Sequence, residues 1–215
     1  MVELLIKGTG ETLYMVALST VFAYLLGVPA GVLLSVTSKG GIMENHSFNW
    51  AFGWVINILR SLPFIILMVF ISPFTRLIVG KAIGPTAACV ALIVAAAPFV
   101  ARLVESSLAE IDAGVIDAAK CMGATNRQII LRVMLPEAIP SLVRGLSITT
   151  ITLIGYSAMA GAIGGGGLGD IAIRYGHHRY DTRTMLITIV LLVIIVCVIQ
   201  VTFDKLAYRV DKSNR

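Results

Sequence analysis

From Thr12 to Val36 the chain carries no charged residue, and a run of that length is enough to cross the roughly 30 Å hydrocarbon layer of a bilayer as a helix. Four more such segments follow. The second lies within Trp50 to Phe74, the third is Ala82 to Ala101, the fourth runs from Gly145 to about Ala162, and the fifth from Thr184 to Phe203. Pro29 is predicted to bend the first and Pro98 to kink the last turn of the third. The second is interrupted by Arg60 and Pro63, which leaves two readings. Either it is one span, or it starts near Ser61, with Trp50 to Leu59 lying in the headgroup layer that suits its two tryptophans. The predicted architecture is an all-α integral membrane protein of five transmembrane helices. It forms one membrane domain over residues 8–203, followed by a short tail over 204–215.

Composition agrees with this placement. Hydrophobic residues make up 57% and charged residues 13% of the chain, against roughly 25% charged in an ordinary soluble domain. So few charges cannot cover the outside of a water-soluble fold without exposing large apolar patches. The net charge of +5 does not point to nucleic acid, because the basic residues sit between apolar runs rather than in a stripe with aromatics. Cys89, Cys121 and Cys197 are scattered without metal-ligand spacing and read as small apolar residues. Met1 to Lys7 lack the basic start and cleavage site of a secretory signal, so the first apolar segment is expected to stay in the mature protein.

An odd number of spans places the termini on opposite sides, and the basic residues choose between the two orientations. With the N-terminus outside, the inner side holds Lys39, Arg102, Lys120, Arg127, Arg132, Arg144, Lys205, Arg209, Lys212 and Arg215. The outer side holds Lys7, Arg76, Lys81, Arg174, Arg179 and Arg183, a balance of ten to six with Arg60 uncounted. The expected topology is therefore N-terminus out and C-terminus in.

Between the third and fourth spans lies a charged connection, too long to be a plain turn and hence a candidate for function. Within residues 112–136, Asp112 can cap a helix whose Val115, Ala118, Ala119 and Met122 share one face. Gly123 suits its C-terminal stop, and Thr125 with Gln128 has the spacing of a capping box for a second helix. Pro136 and Pro140 are then expected to redirect the chain into the fourth span. A helix, a sharp corner and a second helix at the membrane surface can either pack under the chain's own bundle or enter a groove on a partner.

The spacing Asp117-Ala118-Ala119, Gly123, then Val133-Met134-Leu135-Pro136 resembles the signature Glu-Ala-Ala-x3-Gly-x9-Ile-x-Leu-Pro of ATP-driven (ABC) importer permeases. It departs only in Asp117 for glutamate and Val133 for isoleucine. Further segments are similar to the methionine-uptake permeases of that class: Arg60 to Leu67, Pro73 to Arg76, Ala96 to Arg102, and Gly155 to Ala162 with the glycine run beyond it. The resemblance implies a type I importer permease fold in the bacterial cytoplasmic (inner) membrane, working as a homodimer. It also implies two ATP-binding cassette ATPase subunits and an extracytoplasmic methionine-binding lipoprotein as partners. ATP and its magnesium would sit on the ATPase, leaving this chain with no catalytic residue and no cofactor. Asp117, Ala118, Ala119, Met122, Gly123, Leu135 and Pro136 would then form the ATPase-coupling elbow. A permease for another small amino acid or related solute, or a carrier driven by an ion gradient, are the alternatives. The second would place acids within its helices, where none is found.

Tyr156, Ser157 and Met159 either pack between helices or line the pathway, where the soft methionine sulfur would suit a thioether substrate. Arg60 either snorkels to the cytoplasmic interface or holds an inner gate. Gly164, Gly166 and Gly169 spell the dinucleotide fingerprint, but a membrane helix rather than a strand precedes them. Their expected use is close backbone approach at the outer end of the fourth span. His177 and His178 are adjacent without further ligands, so no metal site is expected.

Overall fold

The computed structural model describes residues 1–210, and over that range regular structure is helical throughout. Lys212 and Arg215, counted with the tail over 204–215, lie outside the described residues. The chain opens with α1 (Val2–Thr37), which begins ten residues before the first uncharged run and continues through Pro29. One stripe of α1, Met15, Ser19, Ala23, Gly27, Gly31 and Leu34, is buried. It faces α5 (Pro85–Ala109), whose buried Ala88, Ala91, Leu92, Ala96 and Val100 form the other half of the core. Small residues let these backbones approach, and close packing is what associates helices where lipid removes the hydrophobic drive. A Cβ on Gly27 would stand 2.6 Å from Val100, and one on Gly31 would stand 2.4 Å from the Ala101 carbonyl oxygen.

The segment Trp50–Phe74 is not one straight helix. α2 (His46–Ser61) and α3 (Phe64–Phe70) meet at an angle of 100°. The break falls at Leu62 and Pro63, both extended, because a residue before proline is pushed out of the helical region. α2 is amphipathic, with Gly53 and Ile56 buried and Trp50 and Trp54 exposed. α4 (Ser72–Val79) follows α3 directly, since the Ile71 and Thr75 N–H groups donate to the Leu67 and Ile71 carbonyls. The helices long and apolar enough to cross a membrane unaided are α1, α5, the segment Asn126–Ala162 and α10 (Thr182–Val210). A fifth crossing is reached when the bent pair α2 and α3 is counted as one broken span.

The connection after α5 holds α6 (Ala113–Cys121) and α7 (Asn126–Ile129). A single π-helical turn, Ile130–Met134, then leads into α8 (Leu135–Ala162). Pro136 and Pro140 do not redirect the chain as their positions suggested, because the helix runs unbroken from Asn126 to Ala162, 37 residues. The physical reason is the π turn, in which the Leu135 N–H reaches back to the Ile130 carbonyl. That widened ladder accommodates the first proline ring where a regular turn would clash. At 1.5 Å per residue the unit is about 55 Å long. α9 (Gly167–Ile171) and a second π turn (Ala172–His177) lead into α10, whose apolar stretch is only 6% buried and runs along the periphery.

The α1–α5 seam yields a direct test. Gly31→Ala should lower the thermal unfolding midpoint of the detergent-solubilised protein by several degrees, through overpacking of roughly 1–3 kcal/mol. Gly10→Ala, with open space around it, should leave the midpoint unchanged or raise it. Equal midpoints for the two variants would mean that Gly31 does not set the helix separation.

Candidate functional site

The connection 112–136 folds into an elbow whose corners are fixed by local hydrogen bonds. The Asp112 carboxylate accepts from the Gly114 N–H at 2.6 Å and caps α6. At the other end Gly123 takes φ +76°, a conformation costly for any residue with a Cβ. There the Ala124 N–H donates to the Ala119 carbonyl at 3.1 Å and the Gly123 N–H to the Lys120 carbonyl at 2.9 Å. This paired pattern closes the helix and turns the chain. α7 starts at once with a reciprocal cap, the Thr125 N–H donating to Gln128 Oε1 at 2.8 Å and the Gln128 N–H to Thr125 Oγ1 at 3.4 Å.

The apolar face of α6 divides in two. Ala119 is buried and Ile116 half-buried against Ile129 and Met134 of the following segment, within the main core. Val115 and Ala118 are exposed, and Met122 is 81% exposed. Sequence pattern placed all four residues on one face, and geometry gives only Ala119 to the chain's own bundle. Ile116, not singled out from sequence, is the second anchor. The outward stripe of Val115, Ala118 and Met122 is flanked by the exposed Asp117–Lys120 ion pair at 3.0 Å. Leu135 and Pro136 are half-buried at the start of α8, and α7 runs through the π turn into that helix without a break. A cleft of about 390 Å³ separates its inner side from the turn after α1, lined by Lys39, Gly41, Glu105, Ala113 and Ile116 among others. The elbow and the end of α1 therefore share one end of the bundle, whereas Met1 lies beside Thr184 at the start of α10.

The proposed pathway residues do not converge. The Tyr156 ring stacks on Phe64 with centroids 4.8 Å apart and planes 3° from parallel, joining α8 to α3. Ser157 is buried, its hydroxyl donating to the Ile154 carbonyl at 2.8 Å. Met159 is 46% exposed and belongs to an open stripe of α8 with Ile148 and Gly155. Arg60 is exposed in the last turn of α2, just before the break. Arg102, by contrast, is held by the bundle. It donates to Glu105 Oε2 at 2.6 Å, to the Gly53 carbonyl at 3.1 Å and to Asn57 Oδ1 at 3.0 Å, fastening α2 to α5. The signal for it in the sequence was an arginine at the end of an uncharged run with a glutamate three residues on.

The glycine run folds α9 back against the end of α8. A Cβ on Gly169 would stand 2.3 Å from the Ala158 carbonyl oxygen, so the expected close approach is present. The rings of His177 and His178 are 5.4 Å apart, both residues exposed, and no third ligand joins them among the described residues. At the start of α10, hydrogen bonds from the Thr184 side chain and backbone hold the Asp181 carboxyl below its usual range.

These features have counterparts in known proteins. The family described as binding-protein-dependent transport system inner membrane component matches residues 27–215. The chain belongs to that family of importer permeases. It is similar to the probable D-methionine transport system permease protein MetI of Vibrio cholerae, with 54% identity over 97% of this chain and 93% of the relative. It is also similar to the methionine import system permease protein MetP of Bacillus subtilis, with 45% identity over 96% and 93%. A solved structure of inward-facing conformations of the MetNI methionine ABC transporter superimposes with a TM-score of 0.97. Its identity is 50%, covering 99% of this chain and 98% of that one.

The reciprocal cap sets a measurable local stability. Thr125→Ala should cost about 1 kcal/mol and speed hydrogen exchange of the elbow amides about fivefold. Unchanged exchange would show that the corner is held from elsewhere.

Proposed function

We propose that this chain forms half of the membrane pathway of a methionine importer. Two copies stand side by side, two ATPase subunits grip their elbows from the cytosol, and a binding lipoprotein delivers the amino acid from outside. The observation that carries this reading is the elbow itself. It leaves an apolar stripe uncovered and is continuous with a helix that reaches the opposite end of the bundle. A push on Ala118 and Met122 by a partner therefore passes through the hydrogen-bonded Gly123 corner and the π turn into α8 and on to Ala162. The methionine permeases among its relatives support the substrate, and the exposed Met159 supplies a soft, polarizable surface for a thioether.

On this reading the N-terminus faces outside and the elbow and C-terminus face the cytosol. ATP and magnesium belong to the partner, and the chain itself catalyses no reaction. The arrangement described here corresponds to the inward-facing state of the relative it superimposes on. Asp117 to Gly123 act as the lever that the ATPase moves, Ala118 and Ala119 allow close approach, and Leu135 and Pro136 transmit the push into α8. Arg60 stands at the cytoplasmic interface, where the break before α3 leaves its side chain free to reach lipid phosphate.

The test is uptake by the chain reconstituted in vesicles with its ATPase and binding protein. Labelled methionine should accumulate only with ATP and should be displaced by unlabelled methionine. Failure of methionine to compete with itself, or uptake without ATP, would overturn the assignment. In the same vesicles Gly123→Val should retain ATP hydrolysis while uptake falls about tenfold, given the cost of a β-branched residue at positive φ. Met159→Lys should abolish uptake with the complex still assembled, and normal uptake would remove Met159 from the pathway.

A further inference from the structure

At the end of the bundle away from the elbow, the chain leaves α8 through Gly164 and Gly166 and enters α9 at Gly167, all three glycines at positive φ. This hairpin is held to α8 by backbone packing. A Cβ on Gly161 would stand 2.3 Å from the Asp170 nitrogen, and the Gly165 N–H donates to the Ala160 carbonyl at 2.8 Å. Toward α1 the connection is of another kind. The Gly167 N–H donates to Glu11 Oε2 at 2.8 Å, and the Leu168 N–H donates to Thr12 Oγ1 at 2.9 Å. Thr12 is 1% exposed, so its bond is shielded from water. The fit has no slack, since a Cβ on Gly166 would lie 2.9 Å from Glu11 Oε2 and one on Gly167 would lie 2.7 Å from Thr12 Oγ1.

We propose that Glu11 and Thr12 are the outer latch of the transporter: two side-chain acceptors on α1 that hold the α8–α9 hairpin shut and release it when the elbow is driven. This rests on the importer reading above. The lever and the hairpin are linked by one continuous helix, which starts at Asn126 after the Gly123 corner and ends at Ala162 beside the hairpin. α1 is fastened separately, to α5, through Gly27 and Gly31. The Gly84 N–H also donates to the Gly164 carbonyl at 3.1 Å, and Gly8 and Met15 pack on the hairpin. Within this seam Glu11 and Thr12 supply the side-chain acceptors whose bonds movement of the lever relative to the α1–α5 pair would have to break. Neither residue touches the elbow or Met159, so both act as positioning residues on the balance between closed and open outer ends.

The experiment uses the complete reconstituted transporter with Cys89, Cys121 and Cys197 replaced by alanine and Met15→Cys as reporter. Met15 is fully buried, and its side chain lies beside Gly167. A membrane-impermeant maleimide added outside should label that cysteine about tenfold faster in Glu11→Ala and in Thr12→Val than in the parent, the loss of one shielded or charge-assisted bond. ATP hydrolysis without the binding protein should rise severalfold in the same variants. Glu11→Gln and Thr12→Ser, which keep an acceptor, should stay near the parent. Unchanged labelling, equal effects in the conservative variants, or failure of Thr12→Val to assemble would each overturn the latch. Labelling reads the seam even in a preparation that does not transport, whereas absence of ATP-driven uptake in the parent would count against the importer reading alone.

Discussion

Hydrocarbon offers the backbone no hydrogen-bonding partner, so each crossing segment must satisfy its own amides as a helix. Helices in lipid gain little from burying apolar surface against one another and associate through close packing instead. Both constraints are visible in the α1–α5 seam, where Gly27 and Gly31 sit against Val100, Ala101 and Val104 with no space for a methyl group. That seam is the most extensive helix packing among the described residues. α8 lies against both of its helices, and α10 lies outside, with most of its apolar stretch uncovered.

The mechanical consequence follows from continuity. A partner acting on a flexible loop would dissipate its motion there, whereas this elbow is closed by hydrogen bonds at its corners and runs into α8 through a π turn rather than a break. The interruption elsewhere, at Leu62 and Pro63, has the opposite effect. It turns α2 away from the bundle axis, and Arg102 ties α2 to α5 through Gly53 and Asn57. The chain therefore runs one continuous 37-residue helix from the elbow to the glycine hairpin and places its sharp bend at Pro63, away from both.

Local features of this design were legible in the residues. Asp112, Gly123 and the Thr125–Gln128 pair act within four positions of themselves, so their spacing determines their geometry, and the structure forms each bond that the spacing implied. The uncharged runs located the membrane helices for the same reason, although α1 and the helix through Pro136 extend well past them. What could not be read depends on distant partners. Which side of α6 faces the bundle is decided by Ile129 and Met134. Arg102 acts on residues 45 and 49 positions away, and Glu11 and Thr12 meet amides 156 positions away. Tyr156 could not be assigned to Phe64 without knowing that the chain turns at Pro63.

The account stands on the elbow facing the cytosol under an ATPase, and its own thiol can report this. Cys121 is exposed on α6, and Cys89 is buried in the core. With Cys197 replaced by alanine, a membrane-impermeant maleimide should label Cys121 in inside-out vesicles stripped of the ATPase, and not in right-side-out vesicles. Restoring the ATPase should protect it. Labelling from the outer face, or labelling that the ATPase does not diminish, would contradict the account.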